Sequence, residues 1–280
     1  MSGMKKIGVI TMARNDNFFL ERWIKYYGAQ LGEENLFIYL DGKDQDAPNN
    51  PGKANIIFCD RIPGQIGSAE PGRLAFLSVE ASKKLKDYDI IIGVDADEFL
   101  VVEPKLNKTL AEYLSEIKIG TTVSGLGFDV GQKLGEEKVI DGSKSFLSQR
   151  SYAIIDPDYT KPCVITKPIT WGVGFHRIRG HNYKIDKNLY MFHFGCFDLK
   201  MLEDRFLDKD RIAAGWSKHL QKRRRTIDIV TQKDFIENEN LLPLARFIQT
   251  WFRPIYKWNR PSMLNLDLVI KIPERFKGVI

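Results

Sequence analysis

The sequence predicts an α/β protein built on a mixed sheet, and three observations support that prediction. Strand-like and helix-like segments alternate through residue 119, which favours parallel strands joined by helices. Residues 90–94 lack the polar alternation of a half-exposed strand, so they predict a strand buried on both faces. Short β-rich pieces follow residue 120 and predict a mixed or antiparallel extension of the sheet.

The elements of the first half follow from apolar patterning and from end signals. We predict a first strand at 5–13, then a helix in which Phe19, Trp23 and Tyr27 recur at helical spacing and which Gly32 ends. Three further strands and two helices are predicted at 35–46, 54–60 and 90–94, and at about 73–86 and 108–118.

The second half changes character twice. Four β-rich pieces are separated by loops with Gly and Pro, at 121–131, 151–158, 161–168 and 189–196. From Asp198, a suitable N-cap, the pattern becomes helical. We therefore expect a main domain at 1–197 and a helical, basic extension at 198–280.

Composition limits the kind of protein. With 28% charged and 43% hydrophobic residues, the 280-residue chain is typical of a folded globular protein. Its three cysteines form no CxxC pair, so neither a disulfide framework nor a thiolate zinc site is expected. No apolar run approaches the roughly 20 residues that span a bilayer. We expect a cytoplasmic protein, and a peripheral position at the inner face of the membrane stays open.

Positive charge is concentrated at the C-terminal end. Residues 200–280 hold 17 Lys and Arg against 10 Asp and Glu, which exceeds the net charge of +6 for the whole chain. The aromatic residues interspersed with these cations are Trp216, Trp251, Phe252, Tyr256 and Trp258. This mixture suits contact with an anionic membrane, although a solvated helix with inward rings is the simpler reading of each segment. No nucleic-acid-reading motif is present, so nucleic acid is not an expected partner.

Polar residues collect where the predicted strands end. Asp95 and Asp97 follow the buried strand, Arg14 follows the first strand and Asp41 the second. In extended chain, residues two apart point to the same side, so the two carboxylates are expected to act together on a cation. Helix capping explains each aspartate separately, but it does not explain why polar groups gather where an α/β sheet places its ligands.

These residues resemble the nucleotide-sugar-dependent glycosyltransferases of the GT-A fold, in the bacterial family-2-like branch related to family 92. The matching stretches cover roughly 5–206 in the family's order: ARND at 13–16, LDGKDQD at 40–46, GRLAFLSVE at 72–80, DADEFL at 95–100, GFH at 174–176 and LYMFHF at 189–194. LDGKDQD lacks the Ser-Thr-Asp arrangement common in relatives, which leaves the base preference open.

The resemblance implies a ligand set. Arg14, Asp41 and Arg73 would hold the nucleotide base and ribose, together with Asp95. Asp95 and Asp97 would be the DxD pair that binds Mg²⁺ or Mn²⁺, with His193 as a further ligand. The implied donor is a nucleotide sugar, with UDP expected, and the acceptor a saccharide or a lipid-linked saccharide in surface polysaccharide biosynthesis.

An inverting transfer, which the resemblance also implies, needs a general base. Asp129 and His176 are the candidates, and the sequence does not rank them. Trp171 and Phe175 could stack on an acceptor sugar, although ordinary packing is the commoner role of such rings.

Two other functions stay open. A sugar-1-phosphate nucleotidyltransferase should carry a Gly-rich loop after the first strand, where this chain has Met-Ala-Arg-Asn-Asp. A catalytically inactive scaffold that binds carbohydrate or membrane would need no metal.

Overall fold

The fold is a mixed ten-stranded sheet flanked by helices, in a computed structural model that describes residues 3–178, 183–213, 215, 217–253 and 260–280. The strands are β1 Ile7–Ala13, β2 Leu36–Asp41, β3 Asn55–Cys59, β4 Ile90–Gly93, β5 Glu98–Val102, β6 Thr122–Val130, β7 Tyr152–Ile155, β8 Val164–Ile165, β9 Lys184–His193 and β10 Val269–Lys271. The helices are α1 Asn17–Leu31, α2 Ile66–Lys84, α3 Leu110–Glu116, α4 Leu199–Leu207, α5 Lys209–Ala213, α6 Ser217–Gln232 and α7 Leu241–Trp251.

The strand order reverses between β1 and β4. Along its main path the order is β10-β7-β6-β8-β4-β1-β2-β3, while β9 pairs with β6 and β5. β1, β2, β3 and β4 are parallel, and β8 runs antiparallel to β4. The chain proceeds from β1 outward to β3 and then returns to β4 on the other side of β1. At such a reversal the loops after the two strands separate, which is where open α/β sheets bind ligands. The architecture is consistent with a Rossmann-like nucleotide-binding fold.

The prediction of a strand buried on both faces is confirmed for β4, where all four residues are buried. Gly93, the last residue of this strand, leaves no room for a side chain because two rings pack directly against it. A Cβ at Gly93 would lie 2.7 Å from both Phe175 and Trp171. Those two rings are at most 2% exposed and lie 5.0 Å apart, centroid to centroid. They therefore belong to the core, and the hypothesis that they stack on an acceptor sugar is wrong.

The helix ends predicted at Gly32 and Asp198 are confirmed. Gly32 ends α1 with a φ of +87°, which an L side chain rarely adopts. Thr109 and Glu112 form a reciprocal capping box at α3, and the Asp198 carboxylate accepts from the Met201 amide at the start of α4. In contrast, α2 begins at Ile66, earlier than predicted, with Pro71 inside it.

The C-terminal segment packs onto the same core as the rest of the chain. Leu242 and Ala245 of α7 and Ile270 of β10 join the main hydrophobic cluster, and β10 pairs antiparallel with β7. A fully buried ion pair, Arg150 to Asp198 at 2.7 Å, ties the start of α4 to the loop after β6. Within the described chain, no helix combines the length and apolarity that crossing a bilayer requires.

Candidate functional site

The predicted carboxylate pair lies on a tight turn and not on extended chain. The Glu98 amide donates to the Asp95 carbonyl at 3.1 Å, so the backbone reverses over Ala96 and Asp97 before β5 begins. The expectation that both carboxylates point together rested on extended geometry, which the chain does not adopt here. Each carboxylate instead has its own set of partners.

Asp95 is held by two cations. Arg73 Nη2 lies 2.8 Å from Asp95 Oδ1, and Lys161 Nζ lies 3.1 Å from Oδ2. Arg73 also binds Glu70 of the same helix at 2.7 Å, and Lys161, only 2% exposed, also pairs with Glu98. Burial raises the pKa of Asp95, but Arg73 and Lys161 outweigh it and hold that pKa below its usual value. Asp95 is therefore an ionised carboxylate whose negative charge is compensated by Arg73 and Lys161.

Asp97 faces the imidazole of His193 instead. Its Oδ2 lies 3.5 Å from His193 Nε2. His193 ends β9 directly opposite Glu98 in β5, because the two strands pair in that register. Donor atoms of Asp97, Glu98 and His193 all lie within 4.8 Å of one another. The structure thus brings together two of the three predicted metal ligands and places Glu98, rather than Asp95, beside them.

A second carboxylate orients His193. Its Nδ1–H donates to Asp129 Oδ1 at 2.6 Å, and the hydroxyl of Thr226 donates to Asp129 Oδ2 at 2.5 Å. The ring of Tyr159 stacks on the imidazole with centroids 3.8 Å apart. Both oxygens of Asp129 are engaged, which weakens the hypothesis that it acts as the general base and favours a positioning role.

The charges around His193 favour its protonated form. Burial lowers the pKa of His193, but the carboxylates of Asp97 and Asp129 outweigh that effect and raise it to about 9. A metal ion at Nε2 would therefore displace a proton from that atom.

The donor set fits a hard divalent cation. Carboxylate oxygens and one imidazole suit Mg²⁺ or Mn²⁺, and a ligating histidine normally donates its other N–H to a carboxylate, as His193 does to Asp129. Glu98 would share its carboxylate between the ion and Lys161. Asp97, Glu98 and His193 are thus the residues that would hold the ion.

The remaining predicted nucleotide-binding residues form a neighbouring group after β1 and β2. Arg14 makes a two-point contact with Asp44, at 2.8 and 2.7 Å, and donates to the Asp41 carbonyl at 3.0 Å. The Asp41 carboxylate accepts from the Ile62 amide at 2.6 Å and pairs with Arg61. Gly42 has a φ of +104°, which L side chains rarely adopt, so glycine is favoured in this turn.

An open depression adjoins this group. It has a volume of about 460 Å³ and is lined by Gly42, Lys43, Asp44, Asp60 and Arg61. It lies at the carboxyl ends of β2 and β3.

His176 has the wrong basicity for a general base. Its Nδ1–H donates to the Asp158 carbonyl at 2.6 Å. Burial and the nearby cations of Lys161 and Arg260 lower the pKa of His176 to about 3. A group that weakly basic takes up few protons near neutral pH, which weakens the hypothesis that His176 is the base.

Sequence reasoning missed several residues of this site. Glu98 is adjacent to the Asp95–Asp97 motif and could have been included as a third acid. Glu70, Tyr159, Lys161 and Thr226 carry no local signal, since only the fold brings them to the carboxylates. His181 lies outside the described residues, as do Trp216, Tyr256 and Trp258, and the side chain of His219 is likewise not described.

Comparisons with known proteins add little. No family model matches the sequence. No curated protein matches it. Among solved structures, the chain is similar to one described as mannose-1-phosphate geranyltransferase from Thermus thermophilus, with 9% identity and a TM-score of 0.30 over 95% of this chain and 74% of that one. A score that low assigns neither a shared fold nor a shared activity.

Proposed function

We propose that the chain is a metal-dependent glycosyltransferase of the GT-A kind, which transfers a sugar from a nucleotide-sugar donor to a saccharide or a lipid-linked saccharide. The observation that carries the proposal is the group formed by Asp97, Glu98 and His193 at the carboxyl end of β4. Two carboxylates and an oriented imidazole occur there together, at the point where the strand order reverses. The sequence resemblance supports the same activity.

The chemistry of transfer suits this group. Cleavage of a sugar–diphosphate bond builds negative charge on the leaving group, and a divalent ion supplies positive charge at that point when bound. Asp97, Glu98 and His193 would fix its position, and Asp129 would hold His193 in the ligating orientation.

The donor nucleotide would lie across the adjoining crevice. Arg14 and Asp41 stand beside the depression after β2, whose volume of about 460 Å³ is in the range of small-molecule sites. We assign the base and ribose to this side, with UDP as the first nucleotide to test, and the diphosphate to the side of Asp97.

A product assay tests the proposal. The purified chain is incubated with UDP-, GDP-, CDP- and dTDP-sugars, each with Mn²⁺, Mg²⁺ or EDTA, in the presence of saccharide acceptors. Release of a nucleoside diphosphate that requires the metal is expected. Pyrophosphate release from a nucleoside triphosphate and a sugar 1-phosphate would instead identify a nucleotidyltransferase. Failure of every nucleotide to raise the melting temperature with metal would identify an inactive scaffold.

A further inference from the structure

The outward face of α7 carries an apolar stripe. Leu244, Phe247 and Trp251 are 51%, 59% and 72% exposed, and their spacing of three and four residues places them on one side of the helix. Phe252 continues the stripe at 45% exposure. Surface helices of globular proteins normally present polar residues on this side.

The inward face of α7 is already used, so the stripe is additional to the core. Leu242, Ala245 and Gln249 are buried against the protein. Arg246 is the only charged residue of the helix, and its guanidinium lies over the ring of Tyr190. The helix therefore presents apolar side chains on two sides, and only one of them packs within the described chain.

Arg246 and Arg253 flank the stripe in the chain. From Asn240 to Leu266 the sequence contains four Lys and Arg and no Asp or Glu. One of the four, Arg260, pairs with Asp158. Arg246 donates to the carbonyls of Asp186 and Leu189 at 3.1 and 3.4 Å, and Arg253 to the carbonyl of Tyr183 at 3.0 Å. Within the described ranges no carboxylate forms an ion pair with either guanidinium.

Exposed lysines of β9 extend this charge. Lys184 and Lys187 are exposed, and they lie in the chain beside the carbonyl groups that Arg253 and Arg246 contact. The apolar stripe is thus bordered by cations from two elements.

We infer that α7 is the docking surface for an anionic lipid bilayer. Phe247 and Trp251 would enter the headgroup boundary, where amphipathic aromatic rings are favoured, and the bordering cations would contact anionic headgroups. With 11 residues, α7 is too short to cross the bilayer, so it lies in the plane of the interface. A second copy is a poorer occupant, because a two-fold contact would bring the same cations face to face.

Vesicle sedimentation with the full chain tests the inference. Vesicles of phosphatidylcholine alone are compared with vesicles containing about one third phosphatidylglycerol, at low and high salt. We expect binding to the anionic vesicles only, weakened by salt because exposed charges are screened. The double variant F247S/W251S should bind at least tenfold less tightly with an unchanged melting temperature.

A matched control isolates the position of the exposed apolar groups. Leu207 and Val79 are 76% and 54% exposed and lie on α4 and α2, so L207S/V79S removes two exposed aliphatic side chains elsewhere. This variant should sediment like the wild type. Equal loss in both variants, or no sedimentation of the wild type, overturns the inference. A dimer that F247S/W251S abolishes without any vesicle binding assigns the stripe to a second copy and also overturns it. Nucleotide release is not measured, so the result is independent of the proposed activity.

Discussion

The two ends of the turn at 95–98 offer the same carboxylate chemistry in opposite electrostatic settings. Asp95 contacts Arg73 and Lys161, whose charges are permanent at physiological pH. Asp97 contacts His193, whose charge is removable. A divalent ion that binds a carboxylate must replace the positive charge already beside it. At Asp97 that charge is a proton on His193, which can leave, whereas at Asp95 it is the buried ammonium of Lys161, which two carboxylates hold in place. Asp97 is therefore suited to bind an ion, and Asp95 is suited to stabilise the turn.

Removing the cation beside Asp95 should lower the free energy of unfolding more than any other change considered. Lys161→Met leaves Asp95 and Glu98 without their buried cation, and such losses cost about 3–5 kcal/mol of the free energy of unfolding. Urea unfolding followed by tryptophan fluorescence measures the change. Lys43→Met, which removes the exposed pair with Asp60, is the control and should leave the unfolding curve unchanged. Equal stability of the two variants would contradict this role of Lys161.

The isosteric variants Asp97→Asn and Asp95→Asn distinguish the role of Asp97 in metal binding from the role of Asp95 in stability. We expect Asp97→Asn to weaken metal-dependent nucleotide binding by at least 100-fold, about 2.7 kcal/mol, because it removes a ligand charge. Asp95→Asn should instead lower the free energy of unfolding more than Asp97→Asn does, since it leaves Arg73 and Lys161 facing a neutral amide. Calorimetric titration and urea unfolding of both variants measure the two effects. The reverse pattern would assign the ion to Asp95.

A smaller loss of metal affinity is expected when Asp129, the hydrogen-bond partner of His193, is changed. Asp129→Asn removes the charged acceptor of the Nδ1–H, and loss of such a partner typically weakens metal affinity by about 10–100-fold. Thr226→Val keeps the Asp129–His193 bond and should weaken affinity less. Titration with Mn²⁺ compares the two variants. An Asp129→Asn variant that keeps wild-type metal affinity and loses only the reaction would restore Asp129 as the general base.

Raising the pH should lower the stability of the metal-free protein and raise its affinity for metal, because both depend on protonation of His193. The pKa of His193, about 9, exceeds the ordinary value of 6.5, so its contribution to stability is complete below pH 6.5 and is lost as pH rises through about 9. Metal affinity should rise over the same range, because removing the proton from His193 becomes easier as pH rises. From pH 7 to pH 8 the expected gain is about tenfold, or about 1.4 kcal/mol. Urea unfolding without metal and Mn²⁺ titration at each pH measure the two trends. His193→Gln should flatten both.

The sequence was informative where local pattern decides structure. β4 has four consecutive buried residues, and both its apolar run and the mixed character of the later strands were predicted correctly. Helix ends at Gly32, Thr109 and Asp198 follow from chemistry within a few residues of each position. These features need no knowledge of distant parts of the chain.

The site was less predictable because its partners come from far along the chain. Lys161 is 66 residues from Asp95, and Thr226 is 97 residues from Asp129. No periodicity links such residues. The extended-chain rule also does not apply at Ala96 and Asp97, since a hydrogen bond between the Glu98 amide and the Asp95 carbonyl closes a turn there.

The short strand β10 has a consequence for aggregation. Its three residues cover one margin of the sheet by pairing with β7, whose four residues are all buried. A chain cleaved before Val269 would present the β7 backbone as an uncovered template for another chain. Proteolytic loss of residues 269–280 would then leave a sheet edge that is prone to edge-to-edge association.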